Sequence, residues 1–454
     1  MGDIFLRIRD RLRFLPSIED IQDMLPESTG RLPLEIESQL SQILSSLNPD
    51  NPDINQQLDL FLEMIKQYGH SLHPYISSFD ISNLISMLQI PELNELILSI
   101  LWSCTFFSQD IIGYFLEADS FIPRLCDIFF AEHTANQILV LKLIYSCTKY
   151  NQEVTNSLIE ADFFNQLIPY CQDSNLDLIS LFTVILNNCS LSHNFLHAAF
   201  PLMKHILLIS NQENDDISTI LYLLSMAINE FGTENPIGLF LCQDYLSNLA
   251  AFIAESDNIQ LISASLAIFI AFLSNDPQII CAIFSSNIIQ STIKHLFAME
   301  DPSPVVDLDS LNGLADEIIA FLNIVLDVSK CDEKLSSTFA DIVAQSDLIT
   351  YCGLCNFAIR SQLIIIILTS LAFDTSNRYT VSLLSKDFVS IVLGVFESSD
   401  KINQKRICES INSILLANRK NTDFCEMVIS LWCTNDTCTN FCPEIMTEEL
   451  CFDE

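Results

Sequence analysis

The chain has 454 residues, 50% of them hydrophobic and only 17% charged, with 58 acidic against 21 basic side chains and a net charge of −37. So apolar a composition orders a large core and excludes a disordered chain. Such acidity repels phosphate backbones and disfavours nucleic acid as a partner.

The first 50 residues stand apart. Arg7, Arg9, Arg11 and Arg13 form the densest basic cluster, with Phe5, Ile8 and Leu12 on one face if the segment is helical, and Pro16, Pro26 and Pro33 follow. Three readings of this arm stay open: a basic arm lying on the acidic remainder, a partner-binding helix, or a membrane-surface helix. The run Asn48-Pro49-Asp50-Asn51-Pro52-Asp53 is a turn and helix-start signal, and a repeat array is expected to begin there, spanning residues 51–432.

Within the array one motif recurs: Asp or Asn, then large apolar residues, then a helical apolar stripe. Glu117-Ala118-Asp119-Ser120-Phe121 and Glu160-Ala161-Asp162-Phe163-Phe164 are the clearest pair, and related starts fall at Asp80, Asp244, Asn287, Asp347 and Asp387, with a degenerate copy around Ala199-Phe200. Their mean spacing, about 44 residues, indicates stacked helical repeats. Asp and Asn suit these starts because they cap helices and tolerate the left-handed conformation of a sharp helix–helix turn. The interval from Asn287 to Asp347 is too long, and Glu300-Asp301-Pro302 with Asp307 and Asp309 reads as an acidic loop inserted at about residues 299–315. It is not a calcium loop, since Leu311 takes the third ligand position and Gly313 comes one residue late.

The most apolar runs, Leu261–Leu273 and Leu363–Phe373, are shorter than the roughly 18–20 residues a membrane span requires. They are expected to be buried helices, and no transmembrane segment is predicted. From residue 151 to 293 a single basic residue, Lys204, faces fourteen acids, a field that favours basic protein or peptide partners. Residues 433–454 form an acidic, cysteine-containing tail.

No catalytic signature is present, and no cofactor or metal is predicted. Cys352 and Cys355 have CxxC spacing without a second pair, and Cys433, Cys438 and Cys442 match no zinc ribbon. His193 and His197 are one helical turn apart, but residue 194 is Asn, not the Glu of a zinc-protease motif. Cys104, Cys147 and Cys189 recur at the repeat period as small core residues, which fits a reducing cytoplasm or nucleus.

The repeats resemble armadillo repeats. Glu117-Ala118-Asp119 and Glu160-Ala161-Asp162 match that family's Glu-Ala-Gly turn with Asp replacing Gly, and Leu186-Asn187-Asn188-Cys189 lies where its third helix ends. The resemblance implies an all-α, right-handed superhelical solenoid of about eight to nine units, in ARM or HEAT geometry. It also implies a non-catalytic scaffold binding a peptide or partner helix in a concave groove. Aligned with the family's groove position are Ser103, Ser146, Asn188, Ser225, Phe272, Asp327 and Ser370. A basic arm, an array and an acidic tail also resemble the layout of importin-alpha, an adaptor for basic nuclear signals. Ser99, Lys142 and Val184 stand where that family repeats Trp. A regulatory subunit of a phosphatase or a chaperone cofactor is a further alternative.

Overall fold

The computed structural model describes residues 32–432 except 108, 119, 132–133, 152, 172–175, 190, 210–214, 299–307, 347, 374–385 and 420–421. The arginine cluster, Cys433, Cys438, Cys442 and the acidic core of the 299–315 segment lie outside these residues. Among the described residues there is no strand, and the contacts divide the chain after Asn211 into two halves.

The N-terminal half comprises α1 (Leu34–Ser46), α2 (Ile54–Tyr68), α3 (Ser78–Met87), α4 (Asn94–Cys104), α5 (Gln109–Leu116), α6 (Phe121–Phe130), α7 (Thr134–Tyr150), α8 (Glu153–Glu160), α9 (Phe163–Leu167), α10 (Leu176–Asn188) and α11 (His193–Ile209). Helices α2, α4, α7 and α10 pack each on the next as a ladder, with the shorter helices behind them. Helix α1 corrects the boundary expected at residue 50. Leu40, Ile43, Leu44 and Leu47 are buried, and α1 packs on α2, so ordered packing begins before the proline-rich turn.

The C-terminal half comprises α12 (Asp215–Phe231), α13 (Pro236–Phe240), a π-helical turn (Leu241–Tyr245), α14 (Leu246–Glu255), α15 (Ile259–Asn275), α16 (Ile280–Ser285), α17 (Ile288–Ala298), α18 (Leu308–Ser329), α19 (Glu333–Gln345), α20 (Leu348–Leu354), α21 (Phe357–Leu371), α22 (Lys386–Ser398), α23 (Lys401–Ala417) and α24 (Thr422–Trp432). Here α12, α15, α18, α21 and α23 form the ladder. The two apolar runs are its most enclosed rungs: Leu261–Leu266 in α15 and Leu363–Leu368 in α21 are six consecutive buried residues each. A helix apolar on every side must be covered on every side, and the stack does this. Pro236–Glu255 is long and apolar enough to cross a membrane by length and composition. It exposes Asp244 and Glu255 while burying Ile237, Leu241, Leu249 and Ile253, the pattern of a packed helix.

Residues 308–315, expected in the acidic loop, belong to α18, and Leu314 and Ala315 are buried. The long interval is thus partly absorbed by a 22-residue rung. The degenerate copy at Ala199-Phe200 has a physical cause. Here α11 runs unbroken through Pro201 where other repeats break into two helices.

The recurring Asp and Asn starts do two jobs. Asp162 and Asn287 have φ of 52° and 57°, the left-handed turn expected of them. Asp80 instead sits at the third position of α3, where it and Ser77 form a reciprocal capping box. Asp244 falls inside the π-helical turn.

Side chains lock the short helices to the ladder at recurring places. Buried Gln137 and Gln404 donate to the carbonyls of Phe129 and Phe396, at 3.0 and 2.8 Å. Arg124 reaches back to the carbonyl of Leu88 at 3.3 Å, and His205 bonds that of Cys171 at 3.1 Å. The Arg124 and His205 bonds join one repeat to the next where a helix end leaves carbonyls unmatched.

The left-handed Asp162 yields a test. Asp162→Gly removes the Cβ penalty and should raise stability by about 1 kcal/mol, whereas Asp162→Val should lower it. A thermal melt in which the glycine variant is the less stable one would show that the side chain matters more than the conformation.

Candidate functional site

The ladder helices α4, α7, α10, α12, α15, α18 and α21 are buried on most sides and leave one stripe open, whereas α2 and α23 leave a wider face exposed, with Asp59 and Glu63 on that of α2. In α4 the stripe runs through Ser99, Trp102 and Phe106 just past its end; in α7 through Lys142, Tyr145 and Lys149; in α10 through Val184 and Asn187. These positions repeat at the array period, so equivalent turns of successive helices lie side by side. In the C-terminal half the stripe comprises Tyr222 and Met226 of α12, Ala267 and Ile270 of α15, and Asp316, Ala320, Asn323 and Asp327 of α18.

The groove residues expected from the sequence fall partly on these stripes. Asp327 is exposed and pairs with Lys330 at 2.7 Å. Ser103 and Asn188 are half-exposed, at the edge of the stripe. Ser146 and Ser225 are buried and give their hydroxyls to the carbonyls of Lys142 and Tyr222 on their own helices. Phe272 and Ser370 are fully enclosed, which corrects their assignment to a groove: they are core residues. The cause is helical phase. One residue along a helix turns the side chain by about 100°, so a one-residue error moves a position from outside to inside.

Two features of the stripes were not anticipated. In the N-terminal half the ammonium of Lys142 on α7 lies 4.2 Å from the ring centre of Trp102 on α4, a cation–π contact between adjacent rungs. Trp102 is itself held edge-on by Phe106 at 5.2 Å. In the C-terminal half three rungs are tied by one polar cluster. The Tyr222 hydroxyl of α12 lies 2.8 Å from Ser263 Oγ of α15 and 3.1 Å from Glu317 Oε1 of α18, and Ser263 donates to the other Glu317 oxygen. Glu317 is buried, and this desolvation pushes its pKa up to about 7, against the opposing effect of the two hydroxyl donors; neighbouring Asp316 adds to the rise. A further cross-rung bond joins Thr369 of α21 to Ser410 of α23 at 2.9 Å.

The titratable residues elsewhere do not assemble a catalytic or metal centre. Among the described residues no three His, Cys, Asp or Glu side chains are placed to hold an ion. The rings of His193 and His197 stack 4.5 Å apart on an exposed helix start. Cys352 is buried with its thiol pushed up to about 12, and Cys355 donates to its carbonyl at 3.9 Å.

No protein-family model and no curated protein sequence matches the chain. Solved structures do. The SYS-1/POP-1 complex aligns at a TM-score of 0.59 and 12% identity, over 97% of this chain and 90% of that one. A structure on the phosphorylation switch controlling the interaction between cadherin and beta-catenin aligns at 0.52 and 9% identity, over 90% and 94%. An engineered protein aligns at 0.56 and 10%, over 88% and 96%. The chain has an armadillo-like fold. The armadillo-like reading of the repeats from Asp162 and its relatives therefore holds, while identities this low speak to fold and nothing finer.

The Glu317 cluster makes stability pH-dependent. A carboxyl whose folded pKa is raised to about 7 contributes fully below its unfolded value near 4.5, and that contribution is lost as pH rises through 7. The shift corresponds to a loss on the order of 3 kcal/mol. Glu317→Gln, neutral at every pH, should flatten this dependence and melt above wild type at pH 8. Parallel stability–pH curves for the two proteins would count against the assignment.

Proposed function

We propose that this protein is a non-catalytic interaction scaffold whose rung stripes receive an extended segment or helix of a partner protein. The observation that carries the reading is the alignment of open stripes on successive long helices, which offers equivalent side chains at regular spacing along a ladder. Repetition of that kind suits a ligand contacted residue after residue. The likeness to SYS-1, solved with POP-1, and to a structure concerned with cadherin and beta-catenin supports the same reading.

The net charge of −37 favours basic partners at long range, and exposed Asp316 and Asp327 on the C-terminal stripe give them local anchors. The resemblance to importin-alpha gains nothing from the stripes, where Ser99, Lys142 and Val184 replace the tryptophans that family repeats. Eight of the described cysteines are buried free thiols, which fits a cytoplasmic or nuclear setting.

The test is capture of partners by the full chain. Ile270→Ser combined with Asp316→Asn and Asp327→Asn should reduce capture of lysine- and arginine-rich proteins about tenfold. Phe79→Ser, which alters an exposed residue of α3 away from the stripes, should leave capture unchanged. Equal capture by both variants would defeat the proposal.

A further inference from the structure

Helix α23 is the last rung of the C-terminal ladder, and among the described residues no further rung covers it. Its open face runs through Ile402, Arg406, Glu409, Ser413 and Leu416, spaced alternately four and three residues apart and so on one side of the helix. Ile402 is 73% exposed and Leu416 50%. The end of a stacked array needs a cover for apolar residues of this kind. At the start of the N-terminal ladder α1 packs on α2 through buried Leu40, Ile43 and Leu44.

The charge of this face runs against that of the protein. Lys401, Lys405, Arg406 and Arg419 stand on α23 or just past its end, against Asp400 and Glu409. Both acids are engaged. The Asp400 carboxylate caps the helix by accepting the amide of Asn403 at 2.8 Å, and Glu409 pairs with Lys405 at 3.6 Å. The neighbouring helices add exposed Glu397 at the end of α22 and Asp423 and Glu426 on α24. Among the described residues none of these acids lies within ion-pair distance of Lys401, Arg406 or Arg419.

The stretch that follows has the opposite character. Residues 433–454 hold six acids and no base, and Glu444, Glu448 and Glu449 alternate there with Ile445, Met446 and Leu450. Only α24, 11 residues and about 16 Å long, separates this stretch from the turn that ends α23. A chain spans up to about 3.3 Å per residue, so residues 433–454 are long enough to follow the roughly 25 Å of α23 from end to end.

We infer that the open face of α23 is the docking site of residues 433–454 of the same chain. Their carboxylates pair with Lys401, Arg406 and Arg419, and their apolar side chains cover Ile402 and Leu416. Charge selects this occupant. A separate acidic protein must approach against the field of a molecule with net charge −37, whereas the tether holds this segment near the face at a millimolar effective concentration. A second copy apposing its own α23 would bring like charges together. The inference concerns the end of the ladder and stands apart from the reading of the stripes.

The experiment uses the full chain carrying Ser413→Cys, which puts a thiol in the middle of the face within reach of Cys442 and Cys451. Under glutathione disulfide, a linkage from position 413 to either cysteine should form within one chain, read by peptide mass spectrometry. Lys401→Glu with Arg406→Glu and Arg419→Glu should slow this linkage about tenfold, and adding Glu444→Lys, Glu448→Lys and Glu449→Lys should restore it. Circular dichroism matching the parent shows that each variant is folded. A rate indifferent to reversal of the face would mean that the tether alone brings the segment near, and would overturn the inference. So would a linkage that joins two chains, a loss that reversal of the segment does not restore, or no linkage at all.

Discussion

Everything in this structure follows from rungs that have too little polar surface to stand alone. Six consecutive buried residues in α15, and six more in α21, leave no side of the helix fit for water. Within each half, successive rungs cover one another with short helices behind, and the middle rungs leave only a narrow stripe open. Each half is built rung upon rung because a covering rung needs covering in turn. Polar groups inside the stack are tolerated mainly by turning inward on their own helix, as Ser265 does to the carbonyl of Leu261 and Thr183 to that of Ile179.

Against that background the few side chains that bridge rungs carry unusual weight. Tyr222, Ser263 and Glu317 sit on three successive rungs and satisfy one another, so the geometry of each rung depends on the other two. The Trp102–Lys142 pair does a related job in the N-terminal half without any carboxylate.

The sequence makes the repeat, the helical class and the burial of the apolar runs legible because all three are periodic and local. The left-handed turns at Asp162 and Asn287 are legible for the same reason: few residues tolerate that conformation. Other features escape for physical reasons. Ser77 and Asp80 look like another repeat start, yet reciprocal hydrogen bonding places Asp80 inside the helix. Ser370 and Phe272 fit a groove alignment within one residue, but helical rotation makes one residue the difference between core and surface. The Glu317 cluster joins residues up to 95 positions apart, so no local pattern announces it. Lys142 stands out only once its neighbours are known, because a lysine among so many acids reads as an ordinary ion-pair partner.

The cysteines give the array a property of its own. Cys104, Cys147 and Cys189 occupy matching core places in successive repeats, and burial holds the thiols of Cys147 and Cys189 up to about 12. Thiolates, not thiols, react with alkylating reagents, so these sites stay silent while their repeat is closed. Cys281 and Cys331, by contrast, are exposed. The molecule thus carries a sequence of internal stopwatches, each started by the opening of its own segment. The order in which their sulfurs become reactive would record whether the stack frays from an end or comes apart from within.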